Sequence, residues 1–77
     1  MIYELTPIDG RKSFYGKAQV HILENGDKVL YSYGVKILTE TADGHYIKHW
    51  DGWTQTTGRH IKAFCGMDKK QFENLEN

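Results

Sequence analysis

A chain of 77 residues with 39% hydrophobic and 26% charged residues has the composition of one soluble folded domain. Its ten Lys and Arg residues balance ten Asp and Glu residues, so it lacks the basic excess of dedicated nucleic-acid binders, although a local basic patch stays open. A single cysteine excludes an intrachain disulfide and a thiolate metal cluster, and no apolar run approaches the roughly 20 residues of a membrane span. We therefore expect one domain over residues 1–77, in the cytoplasm and away from membranes.

The clearest local pattern is the stretch AQVHILENGDKVLYSYGVKI, residues 18–37. Asn25-Gly26 is the favoured pair for a two-residue type I′ turn. A hairpin closed there has one apolar face, made of Ala18, Val20, Ile22, Val29, Tyr31 and Tyr33. It places Val20 opposite Tyr31, and its second strand either continues to Ile37 or bends at Gly34.

Two more segments extend this hairpin. Asp43-Gly44 predicts a second turn, which if tight places Ile37 opposite Trp50 and Thr41 opposite Tyr46; the fit is looser than in the first hairpin, and a longer loop is the alternative. Residues 2–5 read as a short N-terminal strand. Together these segments predict an antiparallel β-meander of three to four strands.

The apolar period becomes helical after Trp53, with Ile61, Phe64 and Cys65 at helical spacing. The first of two short helices is expected to begin after an N-cap at Thr54 or Thr56 and to end at Gly66. The second is expected to begin at a capping box formed by Asp68 and Gln71, with Met67 and Phe72 as a hydrophobic staple. The sequence thus predicts an α+β fold in which a C-terminal helical pair packs on one face of the meander.

Four segments of the chain resemble a family of small uncharacterised proteins from phages and mobile elements of Gram-positive bacteria: RKSFYGKAQV, LYSYGVKI, WDGWTQTTGRHI and MDKKQFENL. The family pattern is Lys-Ser-Phe-Tyr-Gly-Lys-Ala at 12–18, Leu-Tyr-Ser-Tyr at 30–33 and Ser/Thr-x-Thr-Thr-x-Arg-His-Ile/Val at 54–61. The chain departs from it at Val35, where threonine is usual, and at Thr54, where serine is commoner. The resemblance implies a mobile-element setting in a bacterial host, but no activity.

Metal binding and catalysis are both disfavoured by residue spacing. His45 and His49 lie four residues apart on a predicted strand, about 13 Å, which is too far for two ligands of one metal. His21 is a further histidine of the predicted sheet, but no carboxylate converges on these histidines. Cys65 lies five residues from His60, on a different helix face, and reads as an inert buried thiol. Without a phosphate-binding glycine loop or paired carboxylates, we expect no enzyme, cofactor or metal site.

A candidate surface for binding a protein partner lies at the corner between the last strand and the first helix. It consists of Trp50, Trp53, Arg59 and His60. Trp and Arg are enriched among the residues that dominate interfaces. In the structural alternative, His60 donates to a strand carbonyl or a threonine hydroxyl, and Arg59 contacts Asp51 or a nearby carboxylate.

A second candidate surface is basic and aromatic, and consists of Arg11, Lys12, Phe14, Tyr15 and Lys17. Rings that stack on bases beside cations that pair with phosphates are the usual way to hold single-stranded nucleic acid. The structural alternative places Phe14 in the core, with Gly16 bending the chain into the next strand.

These observations favour a small non-enzymatic accessory protein that binds a macromolecular partner. In the implied setting, the natural target class is a host defence protein such as a CRISPR or restriction nuclease. The alternative is a nucleic-acid-binding module that uses residues 11–17. Homodimerisation is also open, since a second copy enlarges the core of a small domain.

Overall fold

The computed structural model describes residues 1–6 and 16–75. In that part of the chain, seven elements follow one another: β1 (Ile2–Glu4), β2 (Ala18–Ile22), β3 (Lys28–Ser32), β4 (Val35–Glu40), β5 (Tyr46–Lys48), α1 (Gln55–Cys65) and α2 (Lys69–Glu73). The strands form one antiparallel sheet in chain order. The α+β class is confirmed, but the sheet has five strands rather than three or four, because the chain turns at Tyr33-Gly34 and divides the predicted long strand into β3 and β4.

The register predicted for the β2–β3 hairpin is wrong by one residue. The loop has three residues rather than two: Leu23 N–H donates to the Asp27 carbonyl at 2.8 Å, and Gly26 takes a φ of +93°. Val20 therefore lies opposite Leu30. The slip turns β3 over, so that Leu30 is fully buried in the core while Tyr31 points to the opposite face.

In the β4–β5 hairpin the structure has the longer loop that the sequence analysis left open, rather than the tight turn. Its loop also has three residues, closed by the Thr41 N–H donating to the His45 carbonyl at 2.7 Å, with Gly44 at a φ of +92°. Glu40 rather than Thr41 pairs with Tyr46. In both hairpins the glycine ends a three-residue loop instead of forming the second half of a two-residue turn.

The two-residue turn lies between β3 and β4. Ser32 pairs with Val35, and the residues between them, Tyr33 and Gly34, both have positive φ, +52° and +78°. Positive φ at both central positions is the geometry of a type I′ turn.

One core forms between the sheet and the helices. Six sheet-side residues, Leu5, Ala18, Val20, Leu30, Ile37 and Leu38, meet Ile61 of α1 and Phe72 of α2. Ile37 and Leu38 are both buried because the register shifts between β3 and β4 at this point. The helix boundaries match the predictions: Thr54 caps α1, Gly66 ends it at a φ of +81°, and Asp68 and Gln71 form the capping box of α2.

None of the helices in residues 1–6 and 16–75 combines the length and hydropathy that a membrane span requires.

Candidate functional site

The predicted protein-binding corner is largely used to build the fold. Trp50 and Trp53 are half-buried and pack against the core. The Trp53 ring lies 5.8 Å from the Phe72 ring, and its edge covers Gly58, where an added Cβ would lie 2.5 Å from Trp53 Cζ2. Arg59 is also half-buried. The rings keep some exposed edge, but much of each one holds the helices on the sheet.

His60, the fourth residue of that corner, lies inside the protein at 1% exposure. Its Nδ1 is 2.7 Å from Ser32 Oγ, which lies 3.2 Å from Thr57 Oγ1. Burial lowers the pKa of His60, and the charge of Arg59 lowers it further. The buried neutral ring therefore joins α1 to β3 and has almost no surface to offer a partner.

A serine hydroxyl beside a histidine ring is also the pair that activates a nucleophile. Here Ser32 is only 3% exposed, so a substrate carbonyl does not reach its Oγ without displacing core side chains. Cys65 is half-buried, its Sγ donates to the Ile61 carbonyl at 3.5 Å, and burial raises the pKa of its thiol. A protonated thiol is a poor nucleophile.

The histidines weighed as metal ligands have other neighbours. His49 Nε2 lies 2.7 Å from Thr39 Oγ1, His45 Nε2 lies 3.8 Å from an Asp43 carboxylate oxygen, and the His21 ring lies 4.2 Å from the Tyr31 ring. Within residues 1–6 and 16–75, no three His, Cys, Asp or Glu side chains stand close enough to share an ion.

The predicted basic and aromatic surface falls only in part on the described chain. Arg11, Lys12, Phe14 and Tyr15 lie outside the described residues, and Lys17 lies inside them. Lys17 is exposed immediately before β2, and its Nζ is 5.9 Å from the centre of the Tyr33 ring.

Lys17 forms one side of a groove of about 290 Å³ at the end of the sheet where β3 turns into β4. The groove is lined by Gly16, Lys17, Gln19, Tyr31, Tyr33 and Gly34, and we call it the Tyr33 groove. Gln19 and Tyr31 pair across β2 and β3, on the sheet face opposite the buried Val20 and Leu30. The start of β2 is fixed there because the Gly16 N–H donates to Glu4 Oε1 at 2.7 Å.

Tyr33 is the most unusual residue of the groove. It is the one non-glycine residue with positive φ in the described part of the chain, and its side chain is 57% exposed. Its ring lies 5.8 Å from the buried His60 ring and also faces Lys17. The groove therefore places an exposed ring and an ammonium group side by side on a tightly turned backbone.

Comparison with known proteins gives a family for the chain. The model of a family of unknown function, DUF8033, matches residues 3–76. The chain belongs to the DUF8033 family. No curated protein and no solved structure matches it.

A second cavity of the DUF8033 chain, of about 210 Å³, lies where β5 meets α2 and is lined by Lys48, Asp51, Gly52, Phe72 and Glu73. The Lys48 ammonium is 3.5 Å from Asp51 Oδ1 and 5.5 Å from the centre of the Phe72 ring. Its side chain is 10% exposed. These contacts hold α2 against the sheet, which is a structural role.

Sequence reasoning missed Gln19, Tyr31 and Tyr33 as site residues of the DUF8033 chain. It assigned both tyrosines to the apolar face of a hairpin, because a two-residue loop at Asn25-Gly26 gives them that parity. The signal that was available is Gly34, at which the sequence analysis already let the strand either continue or bend, because an isolated glycine inside a strand pattern indicates an irregularity of the strand.

Proposed function

We propose that this protein is a non-enzymatic binding module that holds single-stranded nucleic acid in the Tyr33 groove. The function was the alternative in the sequence interpretation, where it rested on residues 11–17. The groove favours it because Lys17, the one residue of that set in the described chain, lies beside two tyrosine rings.

The observation that carries the proposal is that Tyr33 combines a strained backbone conformation with an exposed ring. A bulky residue with positive φ is a genuine outlier, and strain of this kind gathers at functional sites. Asn-Gly makes the same type of turn with less strain. The stability of the turn therefore does not account for a tyrosine at this position, whereas a ligand that stacks on its ring does.

Lys17 of the groove and Lys36, which lies beside the groove, supply the cations that a single strand needs. Lys17 stands at the rim, and Lys36 of β4 pairs with Tyr31 in the sheet, so its exposed side chain lies on the same face. Stacking on an aromatic ring contributes about 1–3 kcal/mol per base, and neighbouring cations neutralise the phosphates. Two rings and two lysines thus support the binding of a short length of strand.

The size of the groove favours a single strand over a duplex. Its volume of about 290 Å³ is just below the roughly 300–1,000 Å³ of small-ligand sites, so the groove suits a single base better than a larger ligand. A base in a duplex hides both of its faces in the stack, so it has none to offer to Tyr33.

Fluorescence anisotropy with a labelled mixed-sequence oligonucleotide, single-stranded and as its duplex, tests the proposal. We expect the single strand to bind more tightly, and binding to weaken as salt rises from about 50 to about 200 mM. Tyr33→Asn removes the ring but keeps the turn, and we expect it to weaken binding about fivefold or more. Lys17→Gln should lower the affinity for the single strand. It should also make the slope of log affinity against log salt concentration shallower, by the amount expected for about one phosphate contact.

Matched controls replace the same residue types outside the groove. Tyr3→Asn changes a tyrosine on β1, and Lys28→Gln changes an exposed lysine at the opposite end of β3. Both variants should bind like the wild type. Absence of single-strand binding by the wild type, or equal affinity of the Tyr33→Asn variant, would refute the proposal.

The second candidate function is binding of a protein partner through Trp50, Trp53 and Arg59, whose half-exposed side chains support it. The mobile-element setting, inhibition of a host CRISPR or restriction nuclease and homodimerisation remain predictions of this candidate. A pull-down from host lysate with Arg59→Ala as the comparison tests it. A captured protein that is retained at high salt by the wild type and lost by the variant favours this candidate over nucleic acid.

A further inference from the structure

We infer that His60 is a positioning residue of the Tyr33 groove, which holds the exposed Tyr33 ring in place from inside the protein. The inference rests on the proposed binding of single-stranded nucleic acid, and it adds how the fold fixes the ring on which a base stacks.

The β3–β4 turn is held by the contacts of Ser32 and Tyr33. Ser32 pairs with Val35 across the turn, and the Tyr33 N–H donates to the Lys17 carbonyl at 2.7 Å. Gly34 adds no packing, because a Cβ built on it would meet no atom of the described chain within 4 Å beyond its chain neighbours. A strained residue persists only where its surroundings over-determine its conformation, so the residues that contact Ser32 and Tyr33 decide the shape of the turn.

His60 contacts both of these residues. Its Nδ1 lies 2.7 Å from Ser32 Oγ, and its ring lies 5.8 Å from the Tyr33 ring at a tilt of 33°. This separation is within the roughly 4.5–7 Å of paired aromatic rings. One side chain therefore holds the residue before the turn by a hydrogen bond and supports the exposed ring by contact.

Helix α1 gives this support a fixed base. Thr57, one turn before His60, places its Oγ1 3.2 Å from the same Ser32 oxygen, so the serine is joined to the helix at two points. Packing and hydrogen bonds of this kind lock the rotamers of the residues that support a site. Since His60 is only 1% exposed, it does not touch a bound base and acts through Tyr33.

Loss of this support should weaken binding although every group that touches the strand is still present. A ring that moves freely before binding has to be ordered on binding, and ordering one side chain lowers affinity about threefold.

Anisotropy titrations of a double-mutant cycle with a labelled mixed-sequence single strand test the inference. Ser32→Ala removes the hydrogen bond to His60 and should weaken binding about threefold. In the Tyr33→Asn background the same change should have no further effect, because the ring that it positions is already gone. His60→Asn keeps an amide for Ser32 but removes the supporting ring, and it should show the same dependence on Tyr33.

NMR of the wild type gives a measurement that does not require any variant to fold. Nuclear Overhauser contacts between the ring protons of Tyr33 and His60 should be present in the free protein and should persist when the strand is added. Their loss on binding would mean that Tyr33 leaves His60 to meet the base, which contradicts the positioning role.

Thr39→Val is the matched control, because Thr39 Oγ1 also lies 2.7 Å from a histidine nitrogen, that of His49, and Thr39 is buried but does not line the groove. This variant should bind like the wild type. Wild-type affinity of Ser32→Ala, or an equal loss of affinity with and without the Tyr33 ring, overturns the role of His60 and leaves the proposed function standing. Absence of binding by the wild type overturns the proposed function, and the role of His60 with it.

Discussion

At the scale of single residues, Tyr33 has an unfavourable backbone conformation, and the contacts of its ring offset part of the free-energy cost. A left-handed backbone conformation costs a residue with a Cβ about 1–2 kcal/mol. The Tyr33 ring recovers part of this through its contacts with the His60 ring and the Lys17 ammonium group. Glycine follows at position 34, which also needs positive φ, so tyrosine carries the strain at the first position only.

Tyr33→Asn is expected to leave the folded state as stable as the wild type or up to about 1 kcal/mol more stable, because asparagine tolerates the left-handed conformation. Urea unfolding followed by circular dichroism measures the change. Combined with weaker nucleic-acid binding, this result would identify Tyr33 as a residue that the fold itself does not require.

Tyr31→Asn provides the contrast. Tyr31 lies inside β3, half-buried against the His21 ring, so its replacement should lower the free energy of unfolding. A Tyr33→Asn variant as destabilised as Tyr31→Asn would show that the Tyr33 ring is part of the packing, and the main support of the proposed function would be lost.

At the scale of elements, the start of α1 combines a strong cap with a glycine that packing requires. Thr54 Oγ1 accepts the Thr57 N–H at 3.0 Å, and the buried Gly58 lies under the Trp53 ring. Glycine inside a helix is usually unfavourable by about 1 kcal/mol relative to alanine. Here the missing Cβ is what allows Trp53 to approach the helix and reach Phe72.

Gly58→Ala is therefore expected to destabilise the protein, against the helix-propensity trend. The gain of about 1 kcal/mol in propensity is outweighed by overpacking, about 1–3 kcal/mol, because a half-buried tryptophan has to move. Thermal and urea unfolding measure the balance. Gln55 is an exposed residue of the same helix, so Gln55→Ala changes helix propensity alone. The stability of this variant should equal that of the wild type or be slightly higher.

A gain of stability in Gly58→Ala would mean that the indole moves aside at little cost. The packing role of Trp53 would then be minor, and more of its surface would be open to a partner than the contacts indicate.

At the scale of the whole molecule, the stability of the fold depends on a neutral histidine. The pKa of His60 is lowered by burial and then by Arg59. The pKa of His49 is also lowered, by desolvation and then by Lys36, but His49 is exposed and solvent screens its contribution to stability. When the pKa of a histidine is lower in the folded state than in the unfolded state, its contribution to the free energy of unfolding is fully present above the pKa of the histidine in the unfolded chain, about 6.5. This contribution is lost as the pH falls below that value, since the unfolded chain then binds more protons.

The free energy of unfolding should accordingly fall as the pH drops below about 6.5, in the end by about 1.4 kcal/mol for each unit by which the pKa of the buried His60 is lowered. Urea unfolding across this range measures the slope. His60→Gln should flatten it. If that variant does not fold, an NMR titration of the His60 ring in the wild type gives the pKa directly.

His45→Gln is the matched control, because His45 is an exposed residue beside Asp43 at a hairpin turn. The slope of this variant is compared with that of His60→Gln, which removes the buried ring instead. A wild-type protein whose stability is constant over this range would contradict the buried, neutral state assigned to His60.

The sequence by itself determined the features that depend on residues within about one helical turn of each other. The Thr54 cap, the Gly66 end of α1 and the Asp68–Gln71 capping box were all readable, because each one is closed by backbone and side-chain groups three or four residues apart. The positions of both glycine-containing hairpin loops were readable for the same reason, and so was the short first strand.

Only the tertiary structure decided the registers and the site. Whether Asn25-Gly26 closes a loop of two or three residues depends on which side chain, Leu30 or Tyr31, fills the core, and this is settled by contacts with helices distant in the sequence. His60 found its partner Ser32 28 residues away, which removed it from the predicted surface. The predicted hairpin already brought the start of β2 near Tyr33, but its one-residue register error placed Gln19 and Tyr31 on opposite faces, whereas in the structure they pair and line the Tyr33 groove together.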